Sequence, residues 1–200
     1  AWPPRWEVWG YHNFQPHETF RVAGVEMGES LEEFVERSQD YQARLLEFAV
    51  HAYRRAKGKV VGYFQFMFVE PWEGITWAVL DVERVPKKGF FALKEASSPV
   101  LLSLVPYLGR VEVGAPPLQE AWLVSDLDRP LSLRVRLRLE DPATLLLHEE
   151  EIALDAGEVR RFFSLGELWE SPLEVQARFL PLREALARIP PGAYRLVGEA

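Results

Sequence analysis

Residues 59–69, Lys-Val-Val-Gly-Tyr-Phe-Gln-Phe-Met-Phe-Val, run apolar with no alternation between two faces. That pattern belongs to a strand covered on both sides, as in a parallel sheet. Just upstream, Ser30-Leu31-Glu32-Glu33 reads as a capping box, with Ser30 at the N-cap and Glu33 reaching back to its amide. Leu31, Phe34, Val35, Tyr41, Leu45, Ala49, Ala52 and Tyr53 recur at helical spacing as one apolar stripe, and Gly58 supplies a stop. The spacing predicts a helix over 31–57. Helix followed by buried strand is the repeating element of a β/α barrel or an open α/β sheet.

That strand has too little company. Residues 1–98 hold only one further candidate, a short stretch near 77–82, and a short helix over 87–97. Each buried, unpaired backbone group costs roughly 1–3 kcal/mol, and a (β/α)₈ barrel takes about 250 residues. Either the chain is a piece of a larger fold or its strands pair with another chain. Residues 1–29 are broken by Pro3, Pro4, Gly10, Pro16, Gly24 and Gly28, yet they carry Trp2, Trp6, Trp9, Tyr11, Phe14 and Phe20. An irregular segment this aromatic must pack on something.

Composition narrows the function classes. With 48% hydrophobic and 26% charged residues the chain is ordinary for a globular protein. A net charge of −7 works against attraction to nucleic acid or anionic membrane. There is no cysteine, so disulfides, thiolate metal sites and cysteine nucleophiles are excluded. The longest apolar stretch, Val60 to Val69, contains Gln65 and is half of the ~20 residues a membrane span needs. No signal peptide is visible, and the expected compartment is the cytoplasm. Seven Trp, twelve Phe and six Tyr suit a sugar-stacking cleft, but a large core uses such residues more often.

From Pro99 the character changes. Leu131 to Leu139 alternates throughout, with Ser132, Arg134, Arg136 and Arg138 on the polar side, as a half-buried antiparallel strand does. Rougher runs at 100–105, 110–113, 119–125, 144–153, 158–163, 173–179 and 193–197 are separated by turn signals such as Pro116-Pro117 and Asp141-Pro142. Seven or eight short strands at this spacing describe an immunoglobulin-like sandwich. The Arg row reads as a solvated sheet face and Glu149-Glu150-Glu151 as a solvated edge or turn.

The segment Gly62 to Asp81 (Gly-Tyr-Phe-Gln-Phe-Met-Phe-Val-Glu-Pro-Trp-Glu-Gly-Ile-Thr-Trp-Ala-Val-Leu-Asp), continuing through Pro86 to Lys94 and Pro99-Val100-Leu101, resembles one region of family 2 glycoside hydrolases. In that region the eighth barrel strand and its loop lead into an immunoglobulin-like domain. The pattern is similar to the β-mannosidase and exo-glucosaminidase branch: a strand, an acidic residue, a Pro-Trp loop, a second Trp and an Asp. Trp9-Gly10-Tyr11-His12-Asn13 resembles a Trp-x-Tyr-His segment of the same branch. Gln39 fits the helix before strand eight.

The resemblance implies an α+β chain: the end of a (β/α)₈ barrel over 1–98, then an immunoglobulin-like antiparallel β-sandwich over 99–200. It implies retaining hydrolysis of β-linked sugars (mannoside, glucosaminide or galactoside) by two glutamates about 5–5.5 Å apart. In the family both precede the matched region, so no catalytic residue is assigned. The chain would supply a subsite wall, with Phe66, Glu70, Trp72, Trp77 and His12 as substrate-binding candidates. Phe66 stands where many relatives carry Trp. No cofactor and no metal is expected; His12 and His17 lack a third ligand at convincing spacing. Glu7 follows no small or apolar strand and makes a poor nucleophile. Carbohydrate is the expected partner, together with the rest of the barrel or a second chain, with homo-oligomerisation open. The competing reading is a non-catalytic module that binds carbohydrate or protein, with Trp122 and Trp169 as its natural probes.

Overall fold

The computed structural model describes residues 2–106, 110, 118–140, 144–164, 185–189 and 194–200. The chain divides into two compact units, Ala1–Ser98 and Pro99–Ala200.

The first unit is built on α2 (Leu31–Arg55), preceded by α1 (Trp6–Tyr11) and a π-helical turn (His17–Val22), and followed by α3 (Lys88–Ala96). Ser30 caps α2 by accepting the Glu33 amide at 3.1 Å. The returning Glu33 carboxylate takes the Glu29 amide at 2.8 Å, one residue earlier than a standard capping box places it. Gly28 is held at φ +71°, and a Cβ there would stand 2.8 Å from Glu33 Oε2. At the other end, buried Arg54 donates Nη1–H to Ala96 O at 2.6 Å, which ties α2 to α3.

The N-terminal aromatics pack on α2. Trp9 sits 5.0 Å from Phe14 and 5.4 Å from Phe34 between ring centroids, and Trp2 donates its indole N–H to Gly28 O. Phe14, Val25 and Phe34 are the buried centre of this cluster.

Two expectations for this unit need correction. The apolar stripe of α2 does not all face inward. Phe34, Val50 and Arg54 are buried, whereas Leu31, Val35, Leu45, Phe48 and Tyr53 are exposed. The segment 59–69 forms no strand ladder. Val69 and Leu80 make an isolated parallel bridge, through Glu70 N to Leu80 O at 2.9 Å and Leu80 N to Phe68 O at 3.0 Å. Among the described residues, the amides of residues 61–68 donate to no backbone carbonyl. Val61 and Phe64 are fully exposed and Phe66 is 75% exposed. The side chains have the character of a doubly covered strand, but a ladder needs a continuous neighbouring backbone, and among the described residues this segment finds only isolated bridges at Val60 and Val69.

Among the described residues of the second unit, six strands form two antiparallel sheets: β1 (Val100–Pro106), β2 (Leu118–Ser125) and β5 (Val159–Ser164), and β4 (Leu145–Leu154), β3 (Leu131–Glu140) and β6 (Arg195–Glu199). The spatial orders are β1-β2-β5 and β4-β3-β6, so the chain passes between the sheets after β2, β4 and β5. Both inner faces share one core, in which Ala121, Leu123, Val135, Leu137, Leu154 and Phe163 interlock. This is a β-sandwich. The alternation of β3 is realised: Val135, Leu137 and Leu139 are buried while Ser132, Arg134 and Arg136 are exposed. Of the expected strand over 110–113 only Arg110 is described, outside any strand; the expected strand over 173–179 and Trp169 lie outside the described residues.

The arginine row is paired as well as solvated. Arg134 reaches Glu151 at 2.6 Å, Arg136 reaches Glu149 at 3.0 Å, and Arg138 reaches Glu140 at 2.6 Å and Glu199 at 2.7 Å. Glu149 and Glu151 therefore lie in mid-strand on β4, in register with Arg136 and Arg134.

Candidate functional site

The loop from Glu70 to Trp77 is held at its root by the Val69–Leu80 bridge and folds over its own first residue. Glu70 is 1% exposed. Its Oε2 accepts the Thr76 hydroxyl, and Thr76 Oγ1 in turn accepts the Ala78 amide at 3.3 Å. Oε1 is buried without a hydrogen-bond partner among the described residues. Gly74 lies directly against it: a Cβ there would be 3.0 Å from Glu70 Oε1 and 3.2 Å from Trp72 Nε1. Lys87 carries the balancing charge nearby. Burial pushes its pKa down, opposed by the negative charges of Glu70 and Asp81.

The outer part of the loop is staked to the N-terminal segment. His12 bonds Glu73 O through Nδ1, and the Ile75 amide donates to His12 O at 2.7 Å. The His12 and Trp72 rings stack at 5.4 Å and 16°, with Tyr11 edge-on to the indole at 5.8 Å. Trp72 keeps 41% of its surface exposed, and Trp77 keeps 49%. Gln65 Nε2 lies within 3.3 Å of both Phe66 O and Trp77 O, so it links the end of the extended segment to the end of the loop. The Phe66–Met67 peptide is cis.

The five expected residues thus fall into two linked pairs around a buried carboxylate. His12 lies on Trp72, and Phe66 joins Trp77 through Gln65. Glu70 faces inward, where it organises the loop from beneath. Asp81, the last member of the matched series, is spent on a turn, since Oδ1 accepts the amides of Glu83 at 2.9 Å and Val85 at 2.8 Å. A groove of about 570 Å³, entirely within the first unit, runs past Trp9, Val35, Gln39, Gln42, Trp77 and Lys87.

Sequence reading missed Gln42, Gln65, Gly74, Thr76 and Lys87. A threonine six residues after a glutamate, or a glutamine on an amphipathic helix, carries no spacing signature, because the contacts depend on how the loop closes. Among the described residues no three His, Cys, Asp or Glu side chains are grouped to hold a metal. Nor is any described helix long and apolar enough to cross a membrane. In the second unit Trp122 is occupied: its indole N–H goes to Glu120 Oε2 at 2.8 Å and the Arg161 guanidinium lies 5.5 Å above its ring.

No family model matches the chain. β-Mannosidase B of Aspergillus niger is 27% identical over 148 residues, 68% of this chain and 18% of that protein. β-Mannosidase B of Emericella nidulans is 27% identical over 160 residues, 73% of this chain and 19% of that protein. Among solved structures, the β-D-mannosidase of Dictyoglomus thermophilum superimposes with a TM-score of 0.68 at 17% identity, covering 81% of this chain and 20% of that one. The exo-chitosanase of Amycolatopsis orientalis gives a TM-score of 0.55 at 14% identity, over 69% of this chain and 16% of that one. The chain therefore spans about a fifth of the length of the proteins it matches. By sequence and fold it resembles glycoside hydrolases. Within that class, it resembles the C-terminal part of family 2-like enzymes of the β-mannosidase and exo-glucosaminidase kind.

Proposed function

We propose that this chain is the C-terminal segment of a retaining glycoside hydrolase acting on β-linked sugars, a mannoside, glucosaminide or galactoside. In this reading residues 1–98 are the last helix, eighth strand and exit helix of a catalytic barrel, and 99–200 are an accessory immunoglobulin-like sandwich. The catalytic glutamates belong to the upstream part of the barrel, and Phe66, Trp72, Trp77 and His12 form a subsite wall, with Glu70 shaping it from below.

The observation that carries this reading is the state of residues 61–68. Val61, Phe64, Phe66 and Phe68 stand exposed beside backbone amides that, among the described residues, no neighbouring strand receives. Exposing Val61, Phe64 and Phe66 together is unfavourable at about 25 cal/mol per Å² of apolar surface, and a neighbouring barrel strand would both cover them and complete the ladder. The exposed residues on α2 call for covering in the same way. The coverage of about a fifth of each relative supports the same conclusion.

The test is to express the 200 residues with and without the coding sequence upstream and to assay aryl β-mannosides, β-glucosaminides and β-galactosides. The short chain is expected to be inert and the long one active. In the active protein Trp72→Ala is expected to lower kcat/KM roughly tenfold, the equivalent of about 1.4 kcal/mol. Robust turnover by the short chain would end this assignment. Saturable oligosaccharide binding that disappears only with Trp122→Ala would instead favour a binding module, a reading that the Glu120 and Arg161 contacts of Trp122 work against.

A further inference from the structure

Two glutamine amides converge on one carbonyl of the loop. Gln42 of α2 donates from Nε2 to Trp77 O at 2.8 Å and lies 3.4 Å from Ala78 O, while Gln65 Nε2 approaches Trp77 O at 3.3 Å. An amide whose nitrogen serves two carbonyls must turn its oxygen the other way. Gln42 Oε1 is directed at Gly89 in the first turn of α3, where a Cβ would stand 2.7 Å from it, 3.0 Å from Cδ and 3.1 Å from Leu46 Cδ1. Gly89 does not have a left-handed backbone, and alanine is the better helix former. Clearance for Gln42 therefore accounts for the glycine.

We infer that Gln42 is a positioning residue, which sets the placement of the Trp77 indole by gripping its backbone carbonyl, and that Gly89 provides the space for it to do so. The Gln42–Trp77 bond is solvent-exposed. Water can therefore take its place on Trp77 O, so its loss moves the loop rather than unfolding the unit. The importance of that placement for sugar binding rests on the function proposed above; the placement itself does not.

The experiment labels the 200-residue chain with 5-fluorotryptophan, assigns the Trp77 resonance with Trp77→Phe, and records ¹⁹F spectra of Gln42→Glu and Gly89→Ala. Gln42→Glu keeps shape and removes the donor, whereas Gly89→Ala leaves Gln42 intact and displaces it. Both are expected to shift and broaden the Trp77 resonance while that of Trp122 stays in place and far-ultraviolet circular dichroism is unchanged. A Trp77 resonance at its parent position in Gly89→Ala would overturn the inference, whether or not the Gln42 variant folds. In the chain joined to its upstream sequence, Gln42→Glu is expected to raise KM several-fold for an aryl β-glycoside. If Trp77 moves and no β-glycoside is turned over by the parent, the positioning role stands and the hydrolase reading fails.

Discussion

On α2 the imidazole of His51 is partly buried beside two guanidinium groups. Burial, then the charges of Arg55 and Arg54, push its pKa down from 6.5 to about 4. Between those values the unfolded chain binds a proton that the folded chain does not, so stability falls as pH drops through the window and is unaffected above it. After allowance for solvent screening, the loss at pH 5 is about 1 kcal/mol. His51→Gln is expected to flatten that part of the profile, read as the difference in urea midpoint between pH 7 and pH 5. Equal pH slopes for both proteins would contradict it. The sequence shows only a histidine on a helix, and burial is what makes it a titrating liability. Glu70 makes the same point within the site. The resemblance marks an acidic residue after the strand, but only the closed loop shows that its carboxylate lies beneath Thr76 and Gly74 and away from solvent.

Among the elements, β3 was the most legible, because a period of two leaves no choice of face once five apolar residues share one side. Leu137 is the fourth of those five, with no exposed surface, and packs among residues of both sheets. Leu137→Ala is expected to destabilise the sandwich by about 2–5 kcal/mol, lost transfer energy plus a cavity. The shift of the denaturation midpoint of the second unit checks it, and a change below about 0.5 kcal/mol would mean the core is not as described. Helix α2 was legible in its limits but not in its facing. Ser30, Glu33 and Gly28 act locally and determine where it starts, whereas the covered face, with Phe34, Val50 and Arg54 buried and Gln42 and Leu46 half-buried, is selected by what α3 and the N-terminal segment bring against it. The segment 59–69 shows the limit of pattern reading: its side chains report the environment a strand is suited to, whereas strand formation depends on a second backbone.

Across the whole molecule, the exposed apolar residues of α2 and of 61–68 form far more bare surface than scattered single residues do. Without the upstream sequence the 200-residue chain is expected to self-associate reversibly through them. Sedimentation velocity should give a mass that rises with concentration, and Phe64→Glu should return it towards that of the monomer. A monomer at every concentration would argue that these surfaces tolerate water, against the proposed barrel. By itself the sequence determined the local features: the start of α2, the strand pattern of the sandwich over its described residues and the residues of the aromatic loop. Those follow from capping, periodicity and backbone hydrogen-bond demand, which act over a few residues. Only the tertiary structure decided which face of α2 is covered, that Glu70 is enclosed while Trp72 and Trp77 stay open, and that Gln42 holds the loop. Each of these joins residues far apart in the chain, and such contacts are selected by packing, which leaves no local pattern to read.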